Sequence, residues 1–407
     1  MSEKNNKYTP NLRFPEFTGE WEEKTLGEVS PVIFDGTHQT PHYVNSGIPF
    51  YSIENIVSDK PCKYIAQDEH MSNTKKNKTE KGDILITRIG TIGFAKIVDW
   101  DGEFSTYVSL ATIKKSSLIN TRYLLGYLQS EVYQKEMRSK SLMNAVPCKI
   151  NMEDLKSTRI AFPKEQKEQQ KIASCLSAMD ELIAAQAEKV DALKEKKTGL
   201  MQQLFPQKGE TTPRLRFPEF TGEWEEKNIN DCFEFKQGVQ CPVDLQALQK
   251  KDGYIRFIRI IDLTQSGEPP RYIADPGLAH HICKEDLFMV RYGSPGLVGY
   301  GYEGVIANNL FRLLPKFDMC TKFFKDILTA LHKNIAALCG IGALPAINFS
   351  TLGLLRISLP PTIAEQEKIA SCLSALDDQI AAETEKLTAL KDYKKGLMQQ
   401  LFPQPAK

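Results

Sequence analysis

The chain carries one module twice, so any fold for it has to build the same frame two times. Thr9-Pro10 opens a stretch from Leu12-Arg13-Phe14-Pro15-Glu16-Phe17 to Lys24. The same residues return from Thr212-Pro213 through Leu215 to Lys227, 203 positions later. A second match joins Lys171–Gln207 to Lys368–Gln404 at an offset of 197, with 27 of 37 positions identical. The second module is therefore six residues shorter between its matching ends. The middles, 28–150 and 231–347, share little beyond a skeleton. A frame kept the same must meet itself or a repeated partner, and fillings that differ suit two halves that read different things. A duplicated enzyme would keep its reactive residues in both middles.

The frame also carries the strongest periodicity. Ile172, Leu176, Met179, Ile183, Val190, Leu193, Leu200 and Leu204 fall on a four-three heptad pattern. Ile369, Leu373, Leu376, Ile380, Leu387, Leu390, Leu397 and Leu401 repeat it. Polar residues interrupt the seam at matching places, Gln186 with Glu383 and Lys197 with Lys394, which fixes register at some cost in stability. The second helix is expected to start after Pro360-Pro361, where Thr362-Ile363-Ala364-Glu365 fits a capping box. Both helices are expected to stop at Leu-Phe-Pro, because Pro206 and Pro403 cannot continue the ladder. About 40 residues at ~1.5 Å each give a rod of roughly 60 Å. Each apolar stripe needs a partner, and the other copy is the obvious one. Antiparallel packing would place the two middles at opposite ends, related by a pseudo-twofold axis; the alternative is two helices that each pack on a separate domain.

Each filling reads as a mixed α/β domain rich in short strands. Ile48–Ile56 and Tyr254–Leu263 are expected to be strands. Lys81–Gly93 and Lys284–Gly296 each read as a short buried strand, then an arginine, then a glycine turn. Further strands are expected around Val108–Lys114 and Phe311–Pro315, and Ile150-Asn151 and Ile347-Asn348 lead toward Arg159 and Arg356. Gly90, Gly93, Gly293, Gly296 and Gly299 would let a backbone approach phosphate with Arg88 or Arg291 beside it. Equally, these are tight turns whose arginine pairs with Asp83 or Asp286.

In the loop Asp35–Pro41, Gln39 can make a two-point contact to adenine, and Thr37 or His38 can touch bases or phosphate. A plain turn containing Asp-Gly and Pro explains the composition as well. Lys75-Lys76-Asn77-Lys78 reads either as a solvated loop or as a phosphate clamp, and Tyr51 and Phe257 read as core.

Several function classes lack their residues. There is no Gly-x-x-x-x-Gly-Lys-Ser/Thr loop for ATP and no Asn/Asp-Pro-Pro-Tyr/Phe stretch of an amino-methyltransferase. The glycine turns lack the strand–GxGxxG–helix context of a dinucleotide or adenosyl cofactor. Nine cysteines are scattered without a Cys-x-x-Cys, which suits reduced thiols. His280-His281 with Cys283 has no second ligand pair at a workable spacing for a metal. No apolar run approaches the ~18 residues of a membrane span. Met1–Lys7 has no apolar stretch behind its charges, so a cytoplasmic protein is expected. The net charge of +1 does not argue against DNA, because phosphate binding depends on local basic surface.

From end to end the chain resembles the specificity subunits of type I restriction-modification systems. The residues that carry this are the Leu-Arg-Phe-Pro-Glu-Phe openings, Gly82-Asp83-Ile84-Leu85 followed by Arg88 and Gly90, Glu365-Gln366-Glu367-Lys368-Ile369-Ala370, and the paired Gly-Leu-Met-Gln-Gln-Leu-Phe-Pro endings. The second copy departs in having Lys284-Glu285-Asp286 for Lys81-Gly82-Asp83, and shows no clear partner for the Asp35–Pro41 loop.

The resemblance implies target-recognition domains at 1–163 and 208–361, a central helical region at 164–207 and a distal one at 362–407. It implies a chain without catalytic residues, metal or cofactor of its own, each domain reading half of a split site in double-stranded DNA. Thr37, His38, Gln39, Lys75, Lys76, Arg88, Gly90, Arg291 and Gly293 are then the candidate DNA contacts. Ile172, Leu176, Ile183, Leu193, Leu200, Ile369, Leu373, Ile380, Leu390 and Leu397 would pair the helices and dock two methyltransferase subunits. Those partners would bring S-adenosylmethionine, and restriction/translocase subunits would bring ATP and Mg. The helices would act as a ruler between half-sites about one turn of duplex apart, ~34 Å. The alternative is a coiled-coil scaffold or adaptor with no DNA role.

Overall fold

The computed structural model describes residues 8–58, 60–207, 209–265, 267–339 and 345–403. Met1–Lys7, on which the reading of the N-terminus rests, lies outside the described residues. The chain divides into two units, Met1–Ala187 with Glu385–Lys407, and Glu188–Thr384.

In the first unit the strands are β1 (Trp21–Thr25), β2 (Ile33–Asp35), β3 (Tyr43–Val44), β4 (Ile48–Tyr51), β5 (Lys63–Ile65), β6 (Ile84–Thr87), β7 (Ala95–Ile97), β8 (Ser105–Thr106), β9 (Leu110–Ile113) and β10 (Arg159–Pro163). They form an antiparallel pair β1-β10, a sheet in the order β2-β9-β6-β7 and a sheet in the order β3-β5-β4-β8. The second unit has β11 (Glu225–Asn228), β12 (Phe233–Gln237), β13 (Tyr254–Ile258), β14 (Arg271–Ala274), β15 (His281–Ile282), β16 (Leu287–Val290), β17 (Val298–Gly299), β18 (Gly304–Ile306), β19 (Leu310–Pro315) and β20 (Arg356–Leu359). Here the pair is β11-β20 and the sheets are β12-β19-β16-β17 and β14-β13-β18-β15.

The two plans match strand for strand around one parallel contact, β4 with β8 and β13 with β18. They differ at an edge: β3 lies outside β5 in the first unit, whereas β15 lies outside β18 in the second. Both fillings are mixed α/β, and their shared skeleton is a shared topology.

β6 and β16 are buried along their whole length, which is why they read as continuous apolar runs rather than alternating ones. Alternation sorts their side chains into two cores. Ile84 and Ile86 join the core under the helix Thr121–Gln129, while Leu85 joins Ile56, Val98, Phe104 and Leu110. Leu287 and Met289 likewise face one core, and Phe288 and Val290 the other. The expected strands at 48–56 and 254–263 are each cut in two. Asn55 Oδ1 accepts from Ser52 N (2.7 Å) and starts the helix Ile53–Ser58. Asp262 Oδ2 accepts from Arg259 N (2.7 Å) and starts Ile260–Thr264. Local side-chain caps override the apolar alternation.

The central helix runs Gln166–Leu204 and the distal helix Ile363–Leu401. Within each unit, parts of the two helices run antiparallel. In the first, Ile172 and Leu176 share a core with Met398, Leu401 and Phe402, and Asp180 receives Lys394 Nζ at 2.5 Å. In the second, Met201 and Leu204 share a core with Ile369 and Leu373, and Lys197 Nζ reaches Asp377 at 2.5 Å. The lysines that interrupt the seam are thus cross-helix partners at equivalent positions. Of the other seam residues, Ile183, Leu193, Leu200, Ile380, Leu390 and Leu397 are half-buried.

The repeated opening segment is a strap on these helices. Arg13 makes a two-pronged pair with Glu168 (2.7 Å each), and Trp21 Nε1 donates to the same carboxylate at 3.1 Å. Arg216 and Trp224 repeat this on Glu365 at 2.8 and 3.2 Å. Leu12 N donates to Gln400 O and Leu215 N to Gln203 O, both at 3.0 Å. Gln169 and Gln366, next in sequence, accept from Asn120 N and Cys320 N at the starts of the helices Thr121–Gln129 and Thr321–Ala330.

This corrects the capping box read at Thr362–Glu365. Thr362 Oγ1 accepts from Glu365 N (3.3 Å), but the Glu365 carboxylate is taken by Arg216 and Trp224. A bidentate guanidinium in a buried place outcompetes a backbone amide that solvent can satisfy.

Candidate nucleic-acid interface

In the first unit three loops converge on Arg88, which is 7 % exposed. Its Nη1 donates to Asp35 Oδ2 (2.7 Å) and to Val108 O (3.3 Å), and its Nε donates to Ile150 O (3.3 Å). Its own backbone continues the same joints, since Arg88 N donates to Ser109 O and Ile150 N to Arg88 O, both 2.9 Å. One guanidinium therefore ties the ends of the loops 35–41, 106–109 and 141–150. A planar donor fork suits this, because its fixed directions reach several carbonyls and a carboxylate together. The pairing with Asp83 does not occur. Asp83 is fully buried and accepts from Lys114 Nζ (2.7 Å) and Glu80 N (2.7 Å).

Arg291 repeats the joint on different residues. Its Nη1 donates to Gln237 Oε1 (3.0 Å) and its Nε to Ile347 O (3.3 Å), and its guanidinium lies 4.8 Å from the Phe349 ring centroid. Arg291 N donates to Asn309 O and Ile347 N to Arg291 O. Asp286 takes Cys283 N (2.8 Å) and Arg312 instead of Arg291. The first joint thus closes on a carboxylate and the second on a neutral amide and a ring.

The Asp35–Pro41 loop does have a counterpart, Gln237–Pro242, which the sequence comparison missed. Thr37 bridges Tyr107 in parallel, and Val239 bridges Ala307 in parallel. Gly36 N donates to Leu110 O and Gly238 N to Leu310 O (3.2 and 3.0 Å). Both glycines are there because of close approach: a Cβ on Gly36 would lie 2.0 Å from Thr106 O, and one on Gly238 2.2 Å from Ala307 O. Only that glycine and the closing proline are shared, and the joint is otherwise made of backbone groups that any residue supplies. Gln240 then stands where His38 stands in the first loop.

His38 is exposed and its Nε2 lies 2.9 Å from Asp35 Oδ2, the oxygen that Arg88 holds. Thr37 is half-buried, its Oγ1 accepting from Gln39 N (3.2 Å), and Gln39 is exposed beyond it. Gly90 and Gly293 are in left-handed conformations (φ 82° and 98°) and face Ile53 and Ile260, the first residues of the two short capped helices. Thr37, His38, Gln39, Arg88 and Gly90 are therefore brought together, as are Arg291 and Gly293. Lys75 and Lys76 lie elsewhere, exposed just past the helix Gln67–Thr74, whose Glu69 accepts from His42 N (3.3 Å).

This geometry offers a recessed fork that stiffens three loops, with polar side chains outside it. Among the described residues no group of three or more His, Cys, Asp or Glu sits as a metal site. No helix among them is long and apolar enough to cross a membrane.

Comparison with known proteins agrees on one family. The sequence profile of the type I restriction modification DNA specificity domain matches residues 18–195 and again 221–392. A protein of Methanocaldococcus jannaschii named for the MjaX type I restriction enzyme specificity subunit is 25% identical, over 98% of this chain and 96% of its own. The crystal structure of a type I restriction-modification S subunit from M. genitalium superposes with a TM-score of 0.61 at 18% identity, covering 98% of this chain and all of that one. A second solved chain, from work on assembly and conformational transition of a type I system, gives 0.58 at 16% identity over 96% and 98%. Two copies of the family's domain, on a fold shared with solved subunits, place this chain in the family of type I restriction-modification DNA specificity subunits.

Proposed function

We propose that each unit reads one half of a split duplex site, and that the chain supplies sequence recognition to partner subunits that carry out the chemistry. The observation that carries this reading is the loop joint built twice, with the backbone kept and the outward residues changed. In the first joint His38 and Gln39 are exposed beyond Thr37, and in the second Gln240 is exposed between Val239 and Cys241, which pack against the apolar cluster of Phe257, Ile273 and Val305. Such a joint suits direct readout, where base-edge hydrogen bonds discriminate only when the side chains are held in place. Gln39 and Gln240 are the candidates for two-point contact with adenine. Arg88, recessed on its carboxylate, acts as a positioning residue. Arg291 is only half-buried on a neutral partner and keeps a charge able to meet phosphate.

The paired helices set the distance between half-sites and dock two methyltransferase subunits. These hold S-adenosylmethionine and methylate adenine at N6 after the base leaves the stack. Restriction subunits with ATP and Mg cut unmodified DNA. Exchanging residues 28–150 for another filling tests the division of labour. One half-site changes and the other stays. If both change together the two-reader account is wrong, and if the assembled complex shows no salt-dependent duplex binding the adaptor reading replaces it.

A further inference from the structure

The loop between Met137 and Ile150 is not explained by the joint it ends on. It closes on itself: Leu142 N donates to Lys149 O (2.7 Å), Ala145 N to Leu142 O (3.2 Å), and Leu142 and Lys149 form an antiparallel bridge. Its base is tied to the glycine turn, since Gly90 N donates to Cys148 O and Cys148 Sγ donates to Gly90 O, both at 2.8 Å. Yet its tip holds Leu142, Met143 and Val146 in water at 47, 52 and 100 % exposure. Scattered exposed aliphatics need no explanation, but three within five residues on a fixed turn form a patch.

The surrounding charge indicates what covers it. From Arg138 to Ile150 there are three cations, Arg138, Lys140 and Lys149, and no acidic residue, in a chain whose total is only +1. Lys140 is held by Ser157 (2.8 Å) and pairs with Glu136 (3.7 Å), while Arg138 and Lys149 are exposed. In the second copy the stretch 331–347 likewise has no acidic residue. Aliphatics flanked by cations suit a nucleic-acid groove, where the cations meet phosphate and the apolar tip meets base steps or thymine methyls.

We infer that the hairpin 142–149 is a second DNA-contacting element of the first unit, its apolar tip entering a groove of the duplex and Lys149 meeting the backbone. This rests on the reading proposed above, and it adds a contact that is not hydrogen-bonded readout. Residues 148–150 are tied to the turn after Arg88, so the tip keeps a fixed distance from the Thr37–Gln39 loop.

The test uses the full chain and a labelled duplex carrying its split site, titrated at several salt concentrations. The variant Leu142→Ser with Met143→Ser and Val146→Ser, which alters exposed side chains only, is expected to bind roughly tenfold more weakly with an unchanged salt slope. Lys149→Gln is expected to lower the slope by about 1. Native affinity in the triple variant overturns the inference. So does loss of co-purification with the modification subunit at unchanged duplex affinity, which would assign the tip to a protein partner. A native chain that binds no duplex even when assembled with its modification subunit overturns the proposed function as well, so the two failures are distinct.

Discussion

Asp35 Oδ2 lies 2.7 Å from Arg88 Nη1, and the same oxygen lies 2.9 Å from His38 Nε2. One carboxylate thus links a recessed arginine to an exposed residue of the candidate reading loop. Asp35→Ala leaves the guanidinium recessed without its counter-charge and is expected to cost about 3 kcal/mol. Gln237→Ala removes a neutral hydrogen bond from the equivalent joint and is expected to cost about 1 kcal/mol. Urea unfolding of the two variants checks the contrast, and equal losses would contradict the distinction between the joints.

The close approach at Gly36 and Gly238 makes a half-specific prediction. A Cβ on either glycine meets a carbonyl oxygen at 2.0 or 2.2 Å, so the loop has to move. Gly36→Ala is expected to abolish discrimination at one half-site and Gly238→Ala at the other, measured by binding to duplexes mutated in each half. If either variant disturbed both halves equally, the independence of the readers would be lost.

Glu168 is fully buried and takes three donors, two from Arg13 and one from Trp21. Glu168→Ala leaves a guanidinium and an indole N–H without their acceptor, and a loss of about 3–5 kcal/mol is expected. Glu365→Ala should give a similar loss, since Arg216 and Trp224 repeat the contact. Chemical denaturation of each variant measures it, and a near-neutral result would mean that the strap contributes nothing to holding the helices.

His70 is buried with its Nδ1 2.9 Å from Ser105 Oγ, and burial pushes its pKa below the ordinary imidazole range despite the nearby Glu103. The folded state therefore binds its proton less readily than the unfolded state does. Its contribution to stability is complete above about pH 6.5 and is lost as pH falls through the depressed folded value. Melting temperature is expected to drop between pH 7.5 and 5.5, and His70→Gln should flatten that part of the profile. An unchanged profile in the variant would assign the acid sensitivity to other groups.

The long helices were legible because a heptad seam repeats over 39 residues in each and ends at proline. The buried strands β6 and β16 were legible for a similar reason, as uninterrupted apolar runs before an arginine. The short helices at 53–58 and 260–264 were not, because single caps at Asn55 and Asp262 decide them against the local pattern. The arginine partners were not legible: the alternative pairing with Asp83 or Asp286 took residues near in sequence, whereas Asp35 and Gln237 are brought in by strand pairing. The second loop, Gln237–Pro242, was missed because backbone hydrogen bonds hold it. The available signal was Gly238, 202 positions after Gly36 and followed at nearly the same distance by proline. The hairpin at 142–149 had a signal as well, an acid-free cationic stretch with three aliphatics, recurring as an acid-free stretch in both copies.

On the reading proposed above, this chain chooses which DNA its partners modify. Modification-aware sequencing of genomic DNA from cells with and without the gene tests it most directly. The account predicts that a split motif carrying N6-methyladenine in both halves disappears on deletion and returns when the gene is restored. A methylation pattern unchanged by deletion, in cells whose modification subunit is present and active, would contradict it.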